Sequence, residues 1–324
     1  MKIKELIKKT PLKRFFDKSP LVAVLPLHGV IAPGGSKLRG ENLNLASLEN
    51  QIESAFEMKG VSAVALLINS PGGSPVQSSL IFDRIRQFAD EKEVPVYAFA
   101  EDVMASGGYW LGLCADEIYV NKNSVIGSIG VVSGGFGFPG LMEKLGIDRR
   151  LYSAGENKVK LDPFSPEKED DILWLKKIQG EIHENFKDLV KTRRGERLKK
   201  RKDKELFSGD VWVGEKAVEL GLVDGIADVR SFCREKYGDK VRFKKLGGRR
   251  GFLAKKLGLE HQAIGADAVE ALTDAVRNQA ACLEKSRKNR EFKGSRADKM
   301  LDLEECPRCG SFVADLGEHS CKDK

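Results

Sequence analysis

Ser106 stands in the stretch DVMASGGYW (residues 102–110), after a strand-like run and just ahead of two glycines and an apolar segment. A serine hydroxyl attacks an acyl carbon only when a base takes its proton, and the oxyanion that forms needs N–H donors. The same serine at the mouth of a helix is equally suited to capping it. The surrounding residues have to supply the base and the donors if Ser106 is a nucleophile.

Four histidines are available. His319 sits among cysteines near the end of the sequence, and His261 lies in a linker-like stretch. His183 falls mid-helix between charged residues, where the expectation is solvent. His28 follows a buried strand and is able to approach the site, but no Asp or Glu follows it in a familiar triad order. The GxSxG pattern is absent, since Met104 and Ala105 precede Ser106. Lysine is the other base, and it needs a lowered pKa, hence burial away from carboxylates. YSAGENKVKLDPF (152–164) holds Lys158 and Lys160 in and after a Gly- and Asn-containing turn. Most lysines are exposed, and spacing alone does not single out Lys158. For the donors, INSPGGSP (68–75) is a tight glycine turn directly after a buried strand. Gly72 and Gly73 are free to turn their N–H groups outward, and the Gly107 N–H can join them at the positive end of the helix it opens.

The elements that must position these residues are legible from hydrophobic periodicity. Strands are predicted over 21–33 (ending in a turn), 61–70, 94–100, 117–121 and 148–154. Helices are predicted over 44–58, 75–92, briefly after Ser106, over 166–194 and within 206–228. Strands alternating with helices imply an α/β, mostly parallel sheet, and open sheets of this kind bind ligands at the carboxyl ends of their strands. The segments read as a basic N-terminal arm (1–20), a main domain (21–240), a basic linker and helix (241–300, helical over 263–288) and a Cys-rich tail (301–324).

The 324 residues carry a net charge of +7, concentrated in KTRRGERLKKRKDK (191–204) and RFKKLGGRR (242–250), which read as solvated basic faces. No run reaches the roughly 18 consecutive apolar residues of a membrane span. The first twenty residues lack the apolar core of a signal peptide; they read as a basic arm or a short amphipathic helix able to touch a membrane peripherally. Cys114, Cys233 and Cys282 are isolated, which points to a reducing, cytoplasmic setting rather than a disulfide framework.

Taken in order, INSPGGSP, MASGGYWLGLCADEIYVN, SVIGSIGV, AGENKVKLDPF and SGDVWVGEKAVELGLVDG resemble the signal peptide peptidase A family of serine peptidases over roughly residues 21–240. The resemblance implies a ClpP/crotonase-like fold of repeated ββα units wound as a superhelix, and a serine endopeptidase with a Ser–Lys dyad. By motif match it makes Ser106 the nucleophile, Lys158 the general base, Gly73 and Gly107 the oxyanion hole, and Ser128 the residue that orients the lysine. It implies a homo-oligomeric ring or dome in which Lys158 is able to serve the Ser106 of another copy. It further implies an apolar peptide substrate, such as a signal-peptide remnant, bound by strand addition. Many family members have an N-terminal membrane anchor that is not evident in this sequence, so the expected substrate is a soluble peptide or one reached through the basic arm. Lys160 competes with Lys158 for the base role; its place in GENK favours Lys158.

CPRCGSFVADLGEHSC (306–321) reads separately, as a zinc knuckle with Cys306, Cys309, His319 and Cys321 as ligands of a structural Zn2+. The alternative is a tail with free thiols. A Lys/Arg stretch (285–299) precedes it without an aromatic stacking series, so nucleic acid is not an expected partner. Two other function classes stand beside the peptidase: an acyl-CoA enzyme of the crotonase group, which normally uses carboxylates, and an inactive scaffold that binds a partner or nucleic acid through its tail and basic surface.

Overall fold

The computed structural model describes residues 19–34, 42–198 and 203–247, with two further short strands at 304–305 and 312–313. The chain divides into two compact units, residues 1–268 and 269–324. The N-terminal arm up to residue 18 and the helix expected over 263–288 lie outside the described residues.

The first unit runs β1 (Leu21–His28), α1 (Leu45–Phe56), β2 (Val61–Ser70), α2 (Pro75–Lys92), β3 (Val96–Ala105), α3 (Gly107–Gly112), β4 (Glu117–Val120) and β5 (Val125–Gly127). It continues with α4 (Pro139–Leu145), α5 (Glu169–Arg194), α6 (Asp203–Leu206), β6 (Val211–Val213), α7 (Gly214–Leu220), β7 (Gly225–Ile226), α8 (Val229–Tyr237) and β8 (Arg242–Lys245). In the second unit β9 (Glu304–Glu305) pairs antiparallel with β10 (Phe312–Val313). The main sheet has the order β6-β5-β3-β2-β1-β8, with β4 beside β3 and β7 beside β4. All of its pairings are parallel except β5 with β6. This is the mixed α/β fold that the alternation of strands and helices implies.

The two sheet faces carry different cores. Leu25, Leu27, Leu66, Ile68 and their neighbours pack under α1, α2, α3, α5 and α7. Val22, Val24, Ala63, Ala65, Tyr97 and Phe99 pack under α8, whose Phe232 ring lies 4.9 Å from Tyr97. Side chains alternate between faces along each strand, so these near-continuous apolar runs mark strands buried on both sides.

β3 changes partner along its length. Tyr97–Ala100 pair with β4, whereas Val103–Ala105 pair with β5. Against β2, Ile68 registers with Ala100 and Ser70 with Met104, so the single residue Asn69 faces Glu101, Asp102 and Val103. The two surplus residues form a bulge that bends the strand. Asn69 holds it, donating to Asp102 Oδ2 at 2.7 Å and accepting from the Val103 N–H at 3.3 Å. The bend aims the end of β3 at β5, away from β4.

Two expectations are corrected. Residues 148–154 form no strand; they are exposed and have no sheet neighbour, so the Leu151–Tyr152 pair that suggested one has nothing to pair with. The run at 191–204 is not simply a solvated basic face. Arg194 is 3% exposed and grips Asp224 with two nitrogens, at 2.8 and 3.1 Å, while its Nε donates to the Gly221 carbonyl at 2.8 Å. Arg193 donates to the Leu113 and Ala115 carbonyls at the end of α3. These arginines tie the end of α5 to the core.

Removing one partner of a buried ion pair strands the other charge. Arg194→Met, which keeps the bulk, is expected to lower unfolding free energy by about 3 kcal/mol or more. Urea denaturation measures it, and a change under 1 kcal/mol would contradict the internal role assigned to Arg194.

Candidate active site

Ser106 occupies the turn between β3 and α3 with φ 52° and ψ −123°. That is a sparsely populated conformation for a residue with a Cβ, costing on the order of 1–3 kcal/mol, and it persists only where the surroundings impose it. Those surroundings are visible. The Ser106 N–H donates to the Gly127 carbonyl at 2.8 Å, and its own carbonyl accepts from Trp110 N–H at 3.0 Å to start α3. Ser106 sits at the N-cap position, yet its hydroxyl makes no capping hydrogen bond, so the capping alternative does not account for it. The side chain is half-buried at the carboxyl end of the sheet.

The glycine turn after β2 closes directly onto this serine. A methyl group on Gly72 would lie 2.6 Å from the Gly107 nitrogen and 2.8 Å from the Ser106 Cβ. Gly73 has φ +142°, and a methyl group there would sit 2.0 Å from the Ile31 carbonyl oxygen. Only glycine fits either position. Bonds from Ile31 N–H to the Gly72 carbonyl (2.9 Å) and from Ser74 N–H to the Ile31 carbonyl (2.7 Å) hold the turn. The Gly73 nitrogen in turn lies 3.2 Å from where a Gly107 Cβ would project. The backbone nitrogens of Gly73 and Gly107 therefore lie close together at the Ser106 turn, and neither has a protein acceptor among the described residues.

Ser128 stands next to Ser106. Ala105 registers with Gly127, so the two serines follow on neighbouring strands. Ser128 also has φ +52°. Its N–H donates to the Asp210 carbonyl at 2.7 Å, and the following Ile129 carbonyl lies 3.0 Å from His183 Nε2.

No hydrogen bond joins Lys158 to Ser106 or Ser128 among the described residues. It is exposed in a turn closed by its own N–H to the Gly155 carbonyl (3.1 Å), and its amine has no ion-pair partner among the described residues. Lys160, the competitor, is tied down: its Nζ lies 3.0 Å from Asp171 Oδ1 and 5.6 Å from the centre of the Trp174 ring. Asp171 also accepts from the Leu161 N–H at 3.1 Å, and Leu161 is a third non-glycine with positive φ, at 53°. The Leu161 N–H first and the Lys160 amine second hold the Asp171 carboxyl below its ordinary range. The Lys160 amine is thus engaged by Asp171 rather than free to reach a serine hydroxyl.

His28 is also removed from consideration. Its Nε2 lies 2.7 Å from Glu101 Oε2, and both residues share the parity of the strand positions that face α8. The His28 ring in turn holds the Glu101 carboxyl below its usual range. Cys306, Cys309, His319 and Cys321 lie outside the described residues, and no group of three metal-ligating side chains occurs among the described ones. No helix among the described residues is long and apolar enough to cross a membrane.

Sequence reasoning missed the role of α5. His183 was expected in solvent, but it is half-buried against Ile129. Phe186, one turn further, packs on Trp110 of α3 with ring centres 4.9 Å apart. The signal was the spacing His183–Phe186–Val190, an i, i+3, i+7 stripe, masked by the charges of Glu181, Glu184 and Lys187 around it.

The glycine geometry is directly testable. Gly73→Ala is expected to cost about 2 kcal/mol or more through a strained backbone and an enforced shift of Ile31. Gly180→Ala, in exposed helix with open space around it, is expected to gain about 0.5–1 kcal/mol. Paired urea melts decide, and equal effects at the two positions would contradict the tight approach of Gly73.

Comparison with known proteins follows the same lines. The model of Peptidase family S49 matches residues 89–240, a span that contains Ser106, Ser128 and Lys158. A Brucella abortus protein named Na(+)/H(+) antiporter NhaA is 51% identical over 252 residues, covering 78% of this chain but 34% of that protein. A putative signal peptide peptidase SppA of Enterococcus faecium is 30% identical over 207 residues, covering 63% of this chain and 59% of that one. Protease 4 of Haemophilus influenzae is 31% identical over 207 residues, covering 63% of this chain and 32% of that one. The chain thus spans 32% to 59% of the length of these relatives. Among solved structures, a membrane-bound stomatin-specific protease, 1510-N, in complex with a substrate peptide is similar at 14% identity and a TM-score of 0.44, covering 74% of this chain and 96% of that one. Residues 89–240 thus match the model of Peptidase family S49, and the chain is similar to relatives named signal peptide peptidase and protease 4.

Proposed function

We propose that the chain is a serine endopeptidase in which Ser106 is the nucleophile and Lys158 the general base. The observation that carries this reading is the close approach of the Gly73 and Gly107 nitrogens at a serine held in a strained strand-to-helix turn. Strain and unpaired backbone donors at one point are costly to a fold and useful to acyl transfer.

The steps follow from these groups. Neutral Lys158 Nζ takes the Ser106 hydroxyl proton as Oγ attacks the scissile carbonyl carbon. The oxyanion that forms accepts from the Gly73 and Gly107 N–H groups, with the N-terminus of α3 behind them. Collapse breaks the C–N bond, and the lysine ammonium gives its proton to the leaving amine. Lys158 then deprotonates a water that attacks the acyl-enzyme, and the proton returns to Ser106 as the acid departs. Ser128, beside Ser106, orients the lysine amine. Lys158 lacks a carboxylate partner, as a base must, and Lys160 does not.

The proposal extends to assembly. Val132, Phe136, Leu145, Ile147 and Tyr152, in the segment that carries Lys158, expose between 52% and 91% of their surface. Apolar exposure on this scale calls for a covering surface. A second copy in a homo-oligomeric ring or dome would cover it and deliver Lys158 to a neighbouring Ser106. The ClpP/crotonase-like superhelix is the arrangement we assign to the α/β fold. An extended apolar peptide, such as a signal-peptide remnant, is the substrate class that fits strand addition beside the glycine turn. Cytoplasmic placement, with peripheral membrane contact through the basic arm, is supported by the lone, buried Cys114 and Cys233 thiols. In the second unit, the Cys-Pro-Arg-Cys-Gly sequence at 306–310 suits the first half of a structural Zn2+ site held by Cys306 and Cys309 and completed by His319 and Cys321.

Labelling with a fluorophosphonate, read by intact mass, tests the dyad. Wild type is expected to take one adduct per chain, and Ser106→Ala and Lys158→Ala none. Mixing the two variants under conditions that exchange subunits is expected to restore about a quarter of the sites if the dyad forms between copies. An adduct that survives Ser106→Ala would sink the assignment.

A further inference from the structure

We infer that His183 is a positioning residue for the serine–lysine site, acting on Ser128 through the Ile129 carbonyl; this rests on the dyad reading above. Three consecutive residues of the chain are pinned from three directions. The Gly127 carbonyl accepts from Ser106 N–H at 2.8 Å, the Ser128 N–H donates to the Asp210 carbonyl at 2.7 Å, and the Ile129 carbonyl meets His183 Nε2 at 3.0 Å. The first two bonds come from the sheet and the turn before β6. The third is a side chain, on a helix, and nothing in the sheet replaces it.

A carbonyl oxygen only accepts, so Nε2 carries the proton and donates. This holds for the neutral ring and for the imidazolium, and the clamp does not depend on the charge of His183. Ser128 needs such a clamp because its φ of +52° is unfavourable for a side-chain-bearing residue. The Ile129 side chain is fully buried, which fixes that side chain but not the 129–130 peptide plane that carries its carbonyl. Without His183 the Ile129 carbonyl loses its partner, the 129–130 peptide is free to rotate, and the Ser128–Ile129 linkage before it can shift with it and relax the strain. The Ser128 hydroxyl then leaves the direction in which it holds the lysine.

Ser106 has separate support. Its turn is fixed by Gly127, by Gly72 and by α3, whose Trp110 packs on Phe186. Loss of His183 therefore disturbs the base and spares the nucleophile and the oxyanion donors.

The test uses full-length protein and the second-order rate of fluorophosphonate labelling, with thermal melting as a check on folding. His183→Ala is expected to label about tenfold more slowly than wild type, and Ser128→Ala by a similar factor. The double variant is expected to be no slower than either single, since both act through one hydroxyl. His183→Gln, whose amide N–H reaches the same carbonyl, is expected to recover most of the rate. Labelling of His183→Ala at the wild-type rate would overturn the inference while leaving the dyad in place, as would fully multiplicative losses in the double variant. If His183→Ala melts too low to assay, His183→Phe, which keeps a ring and lacks the N–H, takes its place: a loss of about tenfold in a folded variant supports the clamp, and a wild-type rate overturns it. A wild-type protein that takes no label, or labels independently of Lys158, would overturn the dyad and the inference with it.

Discussion

The hydrogen bond from Ser106 N–H to the Gly127 carbonyl is the constraint on which the site depends. It extends the pairing of β3 with β5 one residue beyond the last regular position, and forces the chain at Ser106 into positive φ before the helix can start. That placement requires β3 to reach β5 at all. The strand does so because the Glu101–Asp102 bulge bends it away from β4, and Asn69 secures the bend from β2. The glycine turn at 72–73 then has room to close on the serine only because neither residue has a side chain. Strand exchange, bulge and glycine turn together put the Gly73 and Gly107 nitrogens, which lack protein acceptors among the described residues, at the Ser106 turn.

The long helix α5 acts as the ruler across this arrangement. Near its start Asp171 holds Lys160 and Leu161, at the base of the segment that carries Lys158. In its middle His183 reaches Ile129, and Phe186 packs on Trp110 of α3. At its end Arg193 and Arg194 fasten it to α3 and to Asp224. Among the described residues, three of the four non-glycines with positive φ, Ser106, Ser128 and Leu161, lie at the points where these contacts converge. Strain gathered in this way is the mark of a site that the rest of the fold holds against relaxation.

Much of this was legible in the sequence. The helix over 75–92 begins and ends where Pro75 and Lys92 suggest, because a Ser–Pro start and a clear apolar stripe are strong local signals. Ser106 and the PGG turn stood out through glycine spacing and their position after buried strands. Short elements were not legible. β5 and β6 are three residues each and exist only through their pairing, so no periodicity announces them. The stretch 148–154 had strand-like composition but no partner strand, and composition does not report partners. The inward turn of Arg194 and His183 was hidden for the same reason: a charged residue in a charged run looks solvated until its partners, Asp224 and the Ile129 carbonyl, are placed.

A crystal structure of the fluorophosphonate adduct tests the central claim most directly. The account predicts phosphorus bonded to Ser106 Oγ, with one phosphonyl oxygen within hydrogen-bond distance of both the Gly73 and Gly107 nitrogens and a Lys158 amine beside Ser128. Phosphorus on another residue, or a phosphonyl oxygen turned away from both amides, would contradict it.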